Sequence, residues 1–196
     1  KGVPLVADMS SNIASQPMNV ADYGVIFAGA QKNLGPAGLC LMLIKKDLLG
    51  KQNSLCPKLM NWELQVSKDS MLNTPNTYGI YMLGLVMEWM KGKGGIDAFY
   101  QQNLKKAGSL YDVIDNSKLF SNPVAEKYRS LMNVTFVTGD KDKDAAFVKY
   151  CTENGIQNIK GHRNVGGMRA SIYNAMPVAG VEKLIQVMRD FEKNNL

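Results

Sequence analysis

The sequence is poor in the residues that mark a secreted, metal-bound or membrane protein. It holds 3 cysteines and 1 histidine among 196 residues. Cys40, Cys56 and Cys151 form no CxxC pair and are odd in number, which argues against a disulfide framework and against a zinc site. We read them as reduced thiols and expect a cytoplasmic protein. The apolar run Ala37 to Ile44 is far too short to span a bilayer, and nothing at the N-terminus has the order of a signal peptide, so no membrane partner is expected. Cys40, inside that run, is read as a small hydrophobe. No GxxxxGK[ST] phosphate loop occurs. Lys and Arg outnumber Asp and Glu by 23 to 17, giving a net charge of +6. The basic residues are nevertheless scattered, with no block of like charge and no interleaved aromatic stripe, so no nucleic-acid partner is expected. The excess suits anionic partners without choosing among nucleic acid, anionic lipid and small acids, and a solvated basic surface is the default reading. An initiator methionine is also lacking: Lys1-Gly2-Val3 leads straight into a strand-like run, and we expect the sequence to begin inside a longer protein.

What is present is enough apolar material, 45% of the residues, for one medium domain or two small ones. Val3 to Ala7 and Tyr23 to Ala28 read as buried parallel strands bounded by turn residues, and Leu39 to Ile44 as a third. Ligands of open sheets sit at the carboxyl ends of strands, which directs attention to the loops after Asp8 and after Gly29. Ile80, Leu83, Val86, Met87 and Met90 recur at helical spacing, and this methionine-rich stripe is read as packing. Gly92 to Gly95 breaks the pattern, and a second helix follows from about Ile96 to Ile114. Beyond it come a strand over Met132 to Val137, a helix over Ala145 to Asn154, a strand over Met168 to Tyr173, and an amphipathic helix using Val181, Leu184, Ile185, Met188 and Phe191. The fold class is α/β, in two domains, 1–94 and 95–196.

Two constellations carry chemistry. Asp8-Met9-Ser10-Ser11-Asn12 ends the first strand, and Ala30-Gln31-Lys32-Asn33-Leu34-Gly35-Pro36-Ala37-Gly38 follows the second. An acid and a lysine so placed can converge on one ligand, and pyridoxal phosphate needs such a pair: an amine to hold its aldehyde and a carboxylate beside its pyridine nitrogen. On spacing alone Lys32 could equally be a surface residue or a point charge for a phosphate. The second runs from Lys160 through His162 and Arg163 to Arg169 and Ser171. Arginines match carboxylates or phosphates with paired hydrogen bonds beside glycines that allow close approach. A solvated basic turn is the alternative, and composition leaves both open.

The strings DMSSN, AGAQKNLGPAG, LNTPNTY, RSLMNVTF and GHRNVGGMRASIYNAMP together resemble phosphoserine aminotransferases, a branch of the fold-type-I pyridoxal-phosphate enzymes. The resemblance runs from Val3 to the C-terminus. It implies the C-terminal part of a cofactor-binding large domain followed by a small α/β domain. It further implies reversible transamination of 3-phosphohydroxypyruvate with glutamate, giving O-phosphoserine and 2-oxoglutarate. By the same resemblance Lys32 is the catalytic lysine and Asp8 the partner of the pyridine nitrogen, while Gln31 contacts the cofactor phosphate. Asn73 and Thr74 reach the cofactor of a neighbouring subunit, which makes a homodimer with shared sites. Arg169 binds the substrate α-carboxylate, and His162 and Arg163 its phosphate. Asn76 stands where the family often has proline, with no consequence visible in the sequence. Relatives carry, ahead of the position of Lys1, the cofactor-phosphate loop, a ring stacked on the pyridine and further substrate arginines, so the 196 residues alone are expected to be a poor catalyst. A related fold-type-I enzyme with another substrate, or an inactive subunit piece, are the alternatives.

Overall fold

Short apolar runs ended by turn residues become the sheet of the first unit. A computed structural model describes residues 2–163 and 165–195, so Lys1, where the sequence opens, lies outside the described residues, as do Asn164 and Leu196. The chain divides into two compact units, Lys1–Lys93 and Gly94–Leu196.

In the first unit β1 (Val6–Asp8) pairs in parallel with β2 (Val25–Gly29), Asp8 opposite Phe27. Strand β3 (Cys40–Ile44) runs antiparallel to β2, with Gly29 opposite Cys40. The reversal has a simple cause: the link from Gly29 to Cys40 contains no helix, and a parallel return needs a crossover of a dozen residues or more. The expected burial of the strands holds for β2, where Val25, Ile26 and Ala28 are buried. It fails for Val6 and Asp8 of β1 and for Cys40, all exposed, because β1 and β3 lie at the edges of the sheet order β1-β2-β3. Met9, Ile13, Ile26, Ala28, Ala30 and Leu34 form the core of this unit. A short helix, α1 (Trp62–Ser67), is capped by the Asn61 side chain; it carries too few apolar repeats to be legible in the sequence.

Helix α2 (Thr77–Gly92) follows, with Asn76 as its cap. The apolar stripe expected to pack does so only in part. Met90 is buried and Leu83 packs on the core, but Ile80 and Met87 remain 45% and 38% exposed.

The second unit opens with α3 (Gly95–Asp115), followed by β4 (Asn133–Phe136), α4 (Lys141–Glu153), β5 (Met168–Ser171) and α5 (Val178–Asn195). Strands β4 and β5 pair antiparallel, Thr135 opposite Arg169. Helix α4 begins earlier than its apolar pattern, because Asp140 caps the amides of Asp142 and Lys143, which satisfies donors that a helix start leaves open. The core gathers Phe120, Phe136, Phe147 and Phe191, with ring centroids of Phe120 and Phe147 4.8 Å apart and those of Phe147 and Phe191 5.1 Å apart; these tilted, edge-on pairs add to what area burial supplies. Helix α5 seals this core with Val181, Leu184, Ile185, Val187, Met188 and Phe191. Cys151 lies inside it, and burial pushes its thiol up to about 12. Among the described residues no helix is long and apolar enough to cross a membrane.

Candidate active site

Asp8 closes β1, and its carboxylate is organised by Ser10, two residues on. Its Oδ1 accepts the Ser10 amide at 2.9 Å and the Ser10 hydroxyl at 2.6 Å. Those two bonds, the hydroxyl first, hold the Asp8 carboxyl below its ordinary value; burial opposes them and the charge of Lys32 adds to them. Ser10 Oγ in turn accepts the Gly29 amide at 3.0 Å, joining the carboxyl ends of β1 and β2. An anionic, pre-oriented carboxylate results.

Lys32 lies in the loop between β2 and β3, exposed, and its Nζ donates to Ser11 Oγ at 3.3 Å. The loop is fixed on several sides. Ala30 N donates to the Leu39 carbonyl at 2.9 Å, closing its base. The buried Asn33 side chain donates to the Ile13 carbonyl at 2.9 Å, tying it to the segment after β1. Asn76 Nδ2 reaches the Gly38 carbonyl at 3.2 Å while its Oδ1 caps α2 by accepting Gly79 N at 3.0 Å. The asparagine that looked inconsequential in the sequence is therefore a brace between the lysine loop and α2, a bond that proline could not make. Gln31, exposed, folds back over Gly29, whose absent Cβ would come within 2.7 Å of Gln31 Oε1. Asn73 and Thr74 are exposed ahead of α2, with Asn73 Nδ2 donating to the Thr74 carbonyl at 3.0 Å.

In the second unit His162 and Arg163 are exposed on a tight loop, in which the His162 carbonyl accepts the amides of Val165 and Gly166 at 2.9 and 2.8 Å. Two glycines permit it: a Cβ on Gly161 would overlap the Gly166 carbonyl, and one on Gly167, at φ +61°, would press on Val137. His162 and Arg163 line an open depression of about 700 Å³, to which Lys141, Lys149 and Lys160 add positive charge. Its acid, Asp144, is occupied by the Thr138 amide and hydroxyl at 2.8 and 2.7 Å. Arg169 sits on β5, its amide donating to the Ile159 carbonyl at 2.7 Å. Its Nε is buried and has no hydrogen-bond partner among the described residues. Leaving such a donor unmet costs about 1–3 kcal/mol, which a bound carboxylate would recover.

The structure thus brings Asp8 and Lys32 onto adjacent serines within the first unit, and His162 and Arg163 onto one depression in the second. Ser10 and Ser11 carry no role in the sequence alone; the available signal is a pair of hydroxyls two and three residues after a strand-ending acid. Asn33 was missed for the same reason, as a neighbour of the lysine rather than a site residue.

The family model described as aminotransferase class-V matches residues 1–184. The chain belongs to that family. Among its relatives, the phosphoserine aminotransferase of Bacillus cereus is 51% identical over 193 residues, covering 98% of this chain and 54% of that protein. The solved phosphoserine aminotransferase of Bacillus circulans subsp. alkalophilus superposes with a TM-score of 0.96 at 40% identity, over 100% of this chain and 55% of that one. A pyridoxal-phosphate-bound phosphoserine aminotransferase from Trichomonas vaginalis gives 0.92 at 40% identity, over 96% of this chain and 54% of that one. The chain therefore has the class-V aminotransferase fold and spans about half the length of the relatives it matches.

Proposed function

We propose that this chain is the lysine-bearing half of a phosphoserine aminotransferase, which interconverts 3-phosphohydroxypyruvate and glutamate with O-phosphoserine and 2-oxoglutarate. The observation that carries the reading is the convergence of an anionic Asp8 and the Lys32 amine on Ser10 and Ser11 at the carboxyl ends of β1 and β2, in a chain about half identical to proteins of that name. Those residues fit pyridoxal phosphate: a fixed carboxylate for a protonated ring nitrogen and a free primary amine for an aldehyde. Pyridoxal phosphate, when bound, supplies a ring that takes up negative charge from the substrate's α-carbon.

Lys32 Nζ would hold the cofactor and, once released by the substrate amine, carry the proton to and from the α-carbon. Asp8, kept anionic by Ser10, would keep the ring nitrogen protonated. Gln31 would meet the cofactor phosphate. Arg169 would offer its unmatched Nε–H to the α-carboxylate, and His162 with Arg163 would hold the phosphate of one substrate and the side-chain carboxylate of the other. Asn73 and Thr74, exposed and outside the Asp8–Lys32 cluster, suit a contact to the cofactor phosphate of a second copy, giving a homodimer with shared sites. The three free thiols support a reducing, cytoplasmic setting.

The test is the absorption spectrum of the protein with pyridoxal phosphate, before and after O-phosphoserine, followed by borohydride reduction and peptide mapping. We expect a cofactor band that bleaches on adding the amino acid and an adduct on Lys32. An adduct elsewhere would overturn the assignment of Lys32. Unimpaired phosphoserine turnover in Arg163→Ala would instead favour a family member whose substrate lacks the phosphate.

A further inference from the structure

One lysine has no place in the reading above and is the most deeply buried cation among the described residues. Helix α3 turns Phe99, Asn103, Lys106, Ala107, Leu110 and Ile114 inward. In this stripe, apolar but for Asn103, Lys106 is fully buried, with no carboxylate among the partners of its ammonium in the described residues. Burying an ammonium is costly unless every donor is met. All three are met by one short stretch of backbone: the carbonyls of Ile172 at 3.0 Å, Tyr173 at 2.8 Å and Met176 at 3.1 Å. Three residues earlier on α3, on the same face, Asn103 Nδ2 donates to Oδ1 of the buried Asn174 at 2.9 Å. Two side chains of one helix therefore grip a single turn, and three carbonyls that would repel one another converge on a positive charge.

That turn begins where β5 ends. Strand β5 is four residues long and has one ladder partner, β4, and a two-stranded ribbon is marginal by itself. Its upstream end is held by the bond from Arg169 N to the Ile159 carbonyl, its downstream end by Ile172 N to the Met132 carbonyl at 2.8 Å. The same Ile172 then offers its own carbonyl to Lys106. We propose that Lys106 is a positioning residue for the carboxylate site: by closing the 172–176 turn around its ammonium it fixes the register of β5, and so the place of the Arg169 guanidinium. A methionine or leucine would fill the same volume at lower cost but could not gather the three carbonyls. The inference rests on the reading of Arg169 as the carboxylate-binding residue.

The test uses the natural protein and two readouts. Lys106→Met keeps the length of the side chain and removes its donors. We expect amide exchange at Arg169 and Ile172 to quicken while α4 and α5 stay protected, and the affinity for 2-oxoglutarate, measured by calorimetry, to fall by up to roughly a hundredfold, the scale of a group misplaced by about 1 Å. Arg169→Met serves as the control and should lose the ligand as well. If Lys106→Met does not fold, Lys106→Ala is used with methylammonium, which can donate to the three carbonyls and should restore the ligand affinity; tetramethylammonium, which cannot donate, should not. Loss of binding in Arg169→Met beside unchanged binding in Lys106→Met overturns this inference alone. So does faster exchange spread evenly through the second unit, since that is a purely structural role. Failure of the unsubstituted protein to bind the dicarboxylate overturns the aminotransferase reading, and this inference with it.

Discussion

The two units are built from similar apolar patterns and treat them differently. The second gathers nineteen buried residues in a continuous core around four phenylalanines, among the described residues. The first has a connected cluster of six buried hydrophobic residues among the described residues and leaves Leu55, Trp62, Tyr78, Ile80, Tyr81 and Trp89 exposed. Yet the first unit carries the residues with the clearest chemistry, Asp8 and Lys32, whose side chains are held by hydrogen bonds to Ser10 and Ser11. Precision of a site and depth of a core are thus separable here. The loop bearing Lys32 is braced by polar bonds from Asn33 and Asn76, whereas β5 bearing Arg169 is braced from within a core, by Lys106.

The sharpest separation is expected from Lys32→Ala. In the natural protein it should lower transamination roughly 10³-fold or more in a steady-state assay while leaving the melting temperature of the cofactor-free protein in place, since the Lys32 side chain is exposed. The converse is Phe147→Ala in the second unit, which should cost about 3–5 kcal/mol in urea unfolding. Leu85→Ala in α2 of the 196-residue chain should stay within about 0.5 kcal/mol, because Leu85 is 40% exposed there. Equal effects of the two substitutions would erase the contrast between the cores.

A smaller effect concerns pH. Burial pushes the Lys106 ammonium down to about 8 from an ordinary 10.5. The unfolded chain therefore binds more protons than the folded one between those values. Stability of the second unit should rise with pH from about 8, be flat just below it, and meet an opposing fall from about pH 9, where the raised Cys151 thiol makes the folded chain the one that holds more protons at that group. Lys106→Met should remove the rise. The smallest effect distinguishes the thiols. Iodoacetamide should label exposed Cys40 in the native chain and spare Cys151, which is buried and whose thiol lies at about 12. Labelling of Cys151 without denaturant would mean that the second core opens as readily as the first unit.

Much of this was legible in residue order, and what was not has physical causes. The helices α2, α3 and α5 follow their apolar spacing to within a few residues. The start of α4 was missed because its first turn, Lys141 to Asp144, has no apolar residue; Asp140 as a capping acid was the available signal. The antiparallel sense of β3 was invisible in its composition and visible only in the shortness of the link that precedes it. Asp8 and Lys32 stood out as an acid and an amine after consecutive strands, but Ser10, Ser11 and Asn33 act through positions that only folding creates. Lys106 was hidden by charge: a lysine in a helix reads as solvated, although its spacing from Phe99, Asn103 and Leu110 places it on the inward stripe.

The closed base of the lysine loop has a consequence for proteases. Lys32 offers trypsin an exposed side chain, but its peptide bond lies in a ring fastened by Ala30 to Leu39 and by Asn33 to Ile13, and an enzyme that needs an extended strand cannot thread it. Lys51, in the irregular stretch between β3 and α1, carries no such fastening. Digestion of the native chain should therefore nick the molecule near Lys51 first and leave the lysine that matters chemically inside an uncut fragment.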